Sequence, residues 1–123
     1  MAKVLLVDDD EEVRYALGKY LRRAGHEVVE AENGKRALAL LAEAAFDVVI
    51  TDIVMPDTDG IEVIMHITTA NRTLPVIAIS GGGRIGRAEY LDLARHLGAK
   101  AVVPKPVDPD AVLALIDQVL AGN

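Results

Sequence analysis

Asp52 closes a run of β-branched apolar residues in DVVITDIVMPDTDG (47 to 60) and is followed by the turn residues Pro56, Asp57 and Gly60. A strand that stops on an acid and opens into a loop displays that acid at the carboxyl end of a sheet, where open α/β proteins bind their ligands. Three more strand-like runs end on chemically useful residues: LLVDDD on Asp8 and Asp9, VIAIS on Ser80, and VVPKP on Lys105. Three carboxylates gathered in one small space must either raise a pKa or hold a cation. An all-oxygen set suits Mg2+, which keeps several waters and takes one or two carboxylates plus a phosphate oxygen. With that ion and Lys105 the formal charge of the pocket is zero. Such a pocket can accept a phosphoryl group, with cations at its equatorial oxygens and Asp52 as the in-line nucleophile. Ser80 and Lys105 can each donate to a phosphoryl oxygen.

Other polar residues take plainer roles. Asp10, Glu11 and Glu12 are assigned to capping the first helix and offsetting its dipole. His26, His66 and His96 have no metal-ligand spacing and read as solvated side chains, and Arg22, Arg23, Arg84, Arg87 and Arg95 as surface charge. GGGRIG at 81 to 86 matches a dinucleotide fingerprint. Only one strand remains after it, however, and Pro104 and Lys105 stand where a ribose-binding acid is wanted. An aspartate-nucleophile phosphatase would need a second acid at position 54, which is Val.

The elements that must position these groups alternate along the chain. Strand-like runs at 3 to 7, 27 to 31, 47 to 51, 75 to 80 and 99 to 103 are each followed by a segment of helical periodicity. The first helix is expected to bury Val13, Ala16, Leu17, Tyr20 and Leu21, with Gly25 as terminator. The second (34 to 44) packs through Leu38 and Leu41, and the third (59 to 71) through Ile61, Ile64 and Ile67. A fourth is expected at about 86 to 97. The last, capped by Asp108 with Pro109 in its first turn, buries Val112, Leu115, Ile116, Val119 and Leu120. Runs such as VLLV, VVI and VIAI suit parallel strands covered on both faces. The expected fold is α/β, one doubly wound (βα)5 domain spanning 1 to 123 with right-handed crossovers.

Composition narrows the function classes. The chain has 123 residues, 51% of them hydrophobic, and a formal net charge of -6. That charge repels a phosphate backbone, and one Phe, three Tyr and no Trp leave little for stacking bases, so no direct nucleic-acid partner is expected. No cysteine is present, which fits a reducing compartment, and no uncharged run approaches the roughly 18 residues of a membrane span. A cytoplasmic, membrane-free protein is the expectation.

Taken in order and spacing, LLVDDD, TDIVMPDTDG, the hydroxyl at Ser80 and PKP resemble the receiver domain of two-component response regulators, in particular stand-alone receivers of the chemotaxis type. The resemblance covers essentially the whole chain. It implies a flavodoxin-like sheet of order 2-1-3-4-5, and phosphorylation of Asp52 by a sensor histidine kinase or histidine phosphotransfer protein. It also implies Mg2+ held by Asp9, Asp52 and the Val54 carbonyl, with Asp8 acting mostly through water, and Lys105 paired with the phosphoryl group. The Lys105–Pro106 bond would be cis. Output would pass through the face formed by the 86 to 97 helix, the fifth strand and the last helix, to an unknown downstream protein, from a monomer or a phosphorylation-dependent dimer. Turnover would be limited to the chain's own phosphorylation and dephosphorylation. Val102 stands where this family usually carries an aromatic switch residue, and Gly81, Gly82 and Gly83 follow Ser80. Activation is therefore expected to be read mainly through reordering of residues 81 to 90 and of the 86 to 97 helix.

Overall fold

The computed structural model describes residues 1–53, 60–70, 73–80, 92, 95–96 and 98–121, with the side chains of 60, 61 and 80 set aside. The elements run β1 (Lys3–Val7), α1 (Glu11–Arg23), β2 (Glu27–Ala31), α2 (Gly34–Glu43), β3 (Val48–Asp52), α3 (Gly60–Ala70), β4 (Val76–Ser80), β5 (Ala101–Pro104) and α4 (Pro109–Ala121). The expected helix at 86 to 97 lies largely outside the described residues. All strand pairs are parallel, in the order β2-β1-β3-β4-β5. This is the doubly wound, flavodoxin-like sheet anticipated from the motifs.

Alternation along the strands splits the core in two. Leu5, Val7, Val49 and Ala78 meet Ala37, Val63, Ile64 and Ile67 on the side of α2 and α3. Val4, Leu6, Val48, Ile50, Ile77, Ile79 and Val103 meet Leu17, Leu21, Val112 and Ile116 on the side of α1 and α4. A strand buried on both faces needs apolar residues at every position, and for that reason β1 and β3 read as continuous hydrophobic runs. Each fully buried Leu or Ile contributes about 1.5–3 kcal/mol.

Helix ends follow local chemistry. Asp10 caps α1 by accepting from Glu12 N at 2.9 Å, and Glu11 and Glu12 fill the first turn. Gly25, at φ 99°, takes the left-handed position after the helix. Asn33 caps α2 from Arg36 N at 2.8 Å, and Asp108 accepts from Asp110 N at 3.0 Å.

Several packing expectations need correction. Ala16 is exposed, while Arg14 is half-buried and Gly18 buried, because α1 turns part of its polar face toward β2. Leu38 is half-buried and lines a groove against α3; the buried residues of that helix are Gly34 and Ala37, with Leu40 and Leu41 partly covered. Leu120 is exposed in the last turn of α4. Strand β3 runs one residue later than anticipated, so Asp52 is its last residue rather than its successor.

Candidate functional site

Parallel pairing places the carboxyl ends of β1 and β3 side by side, with Val7 opposite Thr51. The next residues along, Asp8 and Asp52, therefore emerge next to each other. Asp8 and Asp52 are buried and Asp9 is exposed, and one carboxylate oxygen from each lies within 4.8 Å of the others. Thr51 Oγ1 donates to the Asp52 carbonyl at 3.0 Å, fixing the strand's end from inside.

Lys105 arrives from the far side of the sheet, one residue past β5. Its ammonium donates to Asp52 Oδ2 at 3.0 Å and lies 3.4 Å from Asp8 Oδ2. The Lys105–Pro106 peptide is cis, as the motif led us to expect. Partial burial works against the lysine's charge, but the Asp52 and Asp8 carboxylates outweigh it and hold its pKa above the usual 10.5. Asp8 is pushed up from 3.8 to about 6, first by burial and then by the Asp52 charge, against the opposing pull of the Asp10 N–H and Lys105.

One ammonium faces two buried carboxylates and the exposed Asp9, so the cluster keeps an excess of negative charge. Asp8 Oδ2 accepts no hydrogen bond among the described residues. A buried, under-satisfied carboxylate oxygen beside two further oxygen donors fits a hard divalent cation of the Mg2+ type.

Of the residues singled out from sequence, Asp8, Asp9, Asp52 and Lys105 are brought together here. Ser80 ends β4, one strand from Asp52 and opposite Pro104 in register, which puts its backbone on the same sheet end. Val54, its carbonyl, and the glycines at 81 to 83 lie outside the described residues. The plain assignment of Asp10 to helix capping holds. Arg22 is exposed surface charge as expected, though it donates to Val28 O at 2.9 Å and pairs with Glu30 at 3.1 Å, whereas His26 is not simply solvated, since it accepts from Ala2 N at 3.0 Å. Sequence reasoning also passed over Arg14, whose Nη1 donates to the Asp8 carbonyl at 2.6 Å. Its position one turn into the helix that follows the acidic loop was the available signal.

Among the described residues no helix is long and apolar enough to cross a membrane. A family model for the response regulator receiver domain matches residues 4–117. Protein PilH of Pseudomonas aeruginosa is 36% identical over 124 residues, covering 99% of this chain and 100% of PilH. Response regulator protein FleR of the same species is 39% identical over 122 residues, but the chain spans only 25% of it. The chemotaxis response regulator CheY4 of Vibrio cholerae superposes with a TM-score of 0.86 at 32% identity, covering 98% of this chain and 99% of CheY4. With sequence motifs, sheet order and full-length relatives in agreement, this chain belongs to the response regulator receiver domains of two-component signalling.

Proposed function

We propose that the chain is a receiver switch that takes a phosphoryl group on Asp52 from a sensor histidine kinase or histidine phosphotransfer protein, in the cytoplasm and in a Mg2+-dependent reaction. The observation that carries this reading is the Lys105 ammonium 3.0 Å from Asp52 within a cluster of three carboxylates. Asp9 and Asp52, with the Val54 carbonyl, would hold the ion directly and Asp8 would act mostly through water. When bound, Mg2+ supplies positive charge against the phosphoryl oxygens. An Asp52 carboxylate oxygen attacks phosphorus in line, the P–O bond forms as the P–N bond to the donor imidazole breaks, and the departing nitrogen keeps the electron pair. Lys105 then trades carboxylate contacts for a phosphoryl oxygen, and the Ser80 hydroxyl donates to another. Because Lys105 follows the end of β5, the exchange would be passed to β5 and α4, on the side where the resemblance puts the output face and a downstream protein would read it.

The chain is taken as one domain over 1 to 123 whose turnover is confined to its own modification. Intact-mass measurement after incubation with Mg2+ and acetyl phosphate tests the core of the proposal. One phosphoryl mass is expected on the wild type, and none on Asp52→Asn or with EDTA. A label that survives Asp52→Asn would overturn it.

A further inference from the structure

Asp9 is the exposed carboxylate of the cluster, and the groups that fix its backbone lie behind it. The Asp8 carbonyl accepts from Arg14 Nη1 at 2.6 Å, and Asp8 N donates to Ala31 O at 3.1 Å. On the other side, Asp10 N donates to Asp8 Oδ1 at 2.9 Å. A peptide group is planar, so anchoring the Asp8 carbonyl also sets the direction in which Asp9 leaves it. Arg14 is held in turn. Its Nε lies 3.5 Å from Glu30 Oε1, and Glu30 Oε2 pairs with Arg22 at 3.1 Å. Its side chain is only 15% exposed, well inside the α1–β2 seam. Gly18 makes the room: a Cβ there would stand 3.3 Å from both Arg22 Nη1 and Glu30 Oε2.

We propose that Arg14, held by Glu30, is a positioning residue for the cation site, setting the Asp8–Asp9 peptide so that both carboxylates meet Asp52. This rests on the Mg2+ reading above. Charge and position make opposite predictions here. An arginine close to an acidic cluster repels a divalent ion, so deleting it on charge grounds alone tightens binding. Deleting an anchor that orients a ligand weakens binding, typically by tenfold or more for groups supporting a metal's ligands.

A Mg2+ titration of the full chain, followed by NMR at the Asp9 and Asp52 amides and paired with thermal melts in EDTA, separates the two. Arg14→Met is expected to weaken Mg2+ about tenfold despite losing a positive charge. Arg14→Lys keeps the charge but not the planar fork, and is expected to lose most of the same affinity. Glu30→Gln should weaken binding less, and add nothing further in the Arg14→Met background. Ile116→Val, a destabilising change in the distant core, should lower the melting temperature and leave affinity alone. Unchanged or tighter Mg2+ binding in Arg14→Met overturns the positioning role while sparing the phosphoacceptor reading. A wild type that shows no Mg2+ response sinks both.

Discussion

Lys105 balances two buried carboxylates with one ammonium, so its removal acts through what it leaves behind. Lys105→Ala would leave Asp8 and Asp52 side by side without that ammonium, at a cost of about 1–3 kcal/mol given the lysine's partial exposure. Urea melts should show that loss in EDTA and recover part of it in Mg2+. Asp8 supplies a pH dependence of known sign. Its folded pKa of about 6 stands above the ordinary 3.8, so the metal-free protein is favoured by its protonated form. That contribution is complete below about pH 3.8 and is lost as pH rises through 6, on the order of 2 kcal/mol. Asp8→Asn should flatten the stability profile between pH 4 and 7 and raise metal-free stability at pH 7. A profile equally steep in the variant counts against the burial argument. At this scale the sequence was legible where charged side chains end a strand: Asp8, Asp9, Asp52 and Lys105 come together as expected. Arg14 was passed over, because its place one turn into α1 is a weak signal and its partners, the Asp8 carbonyl and Glu30 of β2, cannot be paired with it from sequence alone.

Among the elements, strands were easier to place than helix faces. β1 and β3 announce themselves by their apolar runs, Val4 to Val7 and Val48 to Ile50, and their bounds moved by a residue at most. Helix stripes are wider than what is buried. Ala16 and Leu120 fit the apolar period but face solvent, while Gly18 sits inside to make room for an ion-pair network that periodicity does not register. A tighter constraint appears just before β5. Gly98 has φ +110°, and a Cβ there would stand 2.6 Å from Thr68 Cγ2 of α3. Gly98→Ala is expected to cost about 1–3 kcal/mol by denaturant melt. Thr68→Ser should relieve the contact in that background but not the backbone strain, leaving the double variant below wild type. Full recovery would show that the backbone tolerates alanine there.

For the whole molecule, the motifs and the βα rhythm sufficed to expect the strand-end residues together, while the β1–β3 pairing that sets Asp8 beside Asp52 came with the sheet order the resemblance implies. How the domain reports its state is less local. Val102 is half-buried and packs against the core formed with α2 and α3, and has no ring to swing. The response is expected instead mainly in residues 81 to 90, outside the described residues, where glycines follow Ser80, and in the helix expected at 86 to 97. Amide exchange in that segment should differ with and without beryllofluoride, a phosphoryl mimic; identical exchange would count against this route. Tyr20 of α1 donates its hydroxyl to Asp110 of α4, so the two helices flanking the Lys105 side are tied at their surface.

Because β1, β3 and β4 each have a strand on either side, only β2 and β5 present ladder groups to the outside among the described strands. β2 carries Glu27 and Glu30, and β5 stops at Pro104, which has no N–H to offer. Charge and proline discourage another chain from extending the ladder. Copies of this protein that associate are therefore expected to do so through side chains, in contacts that can be broken and remade, rather than by irreversible growth of the sheet.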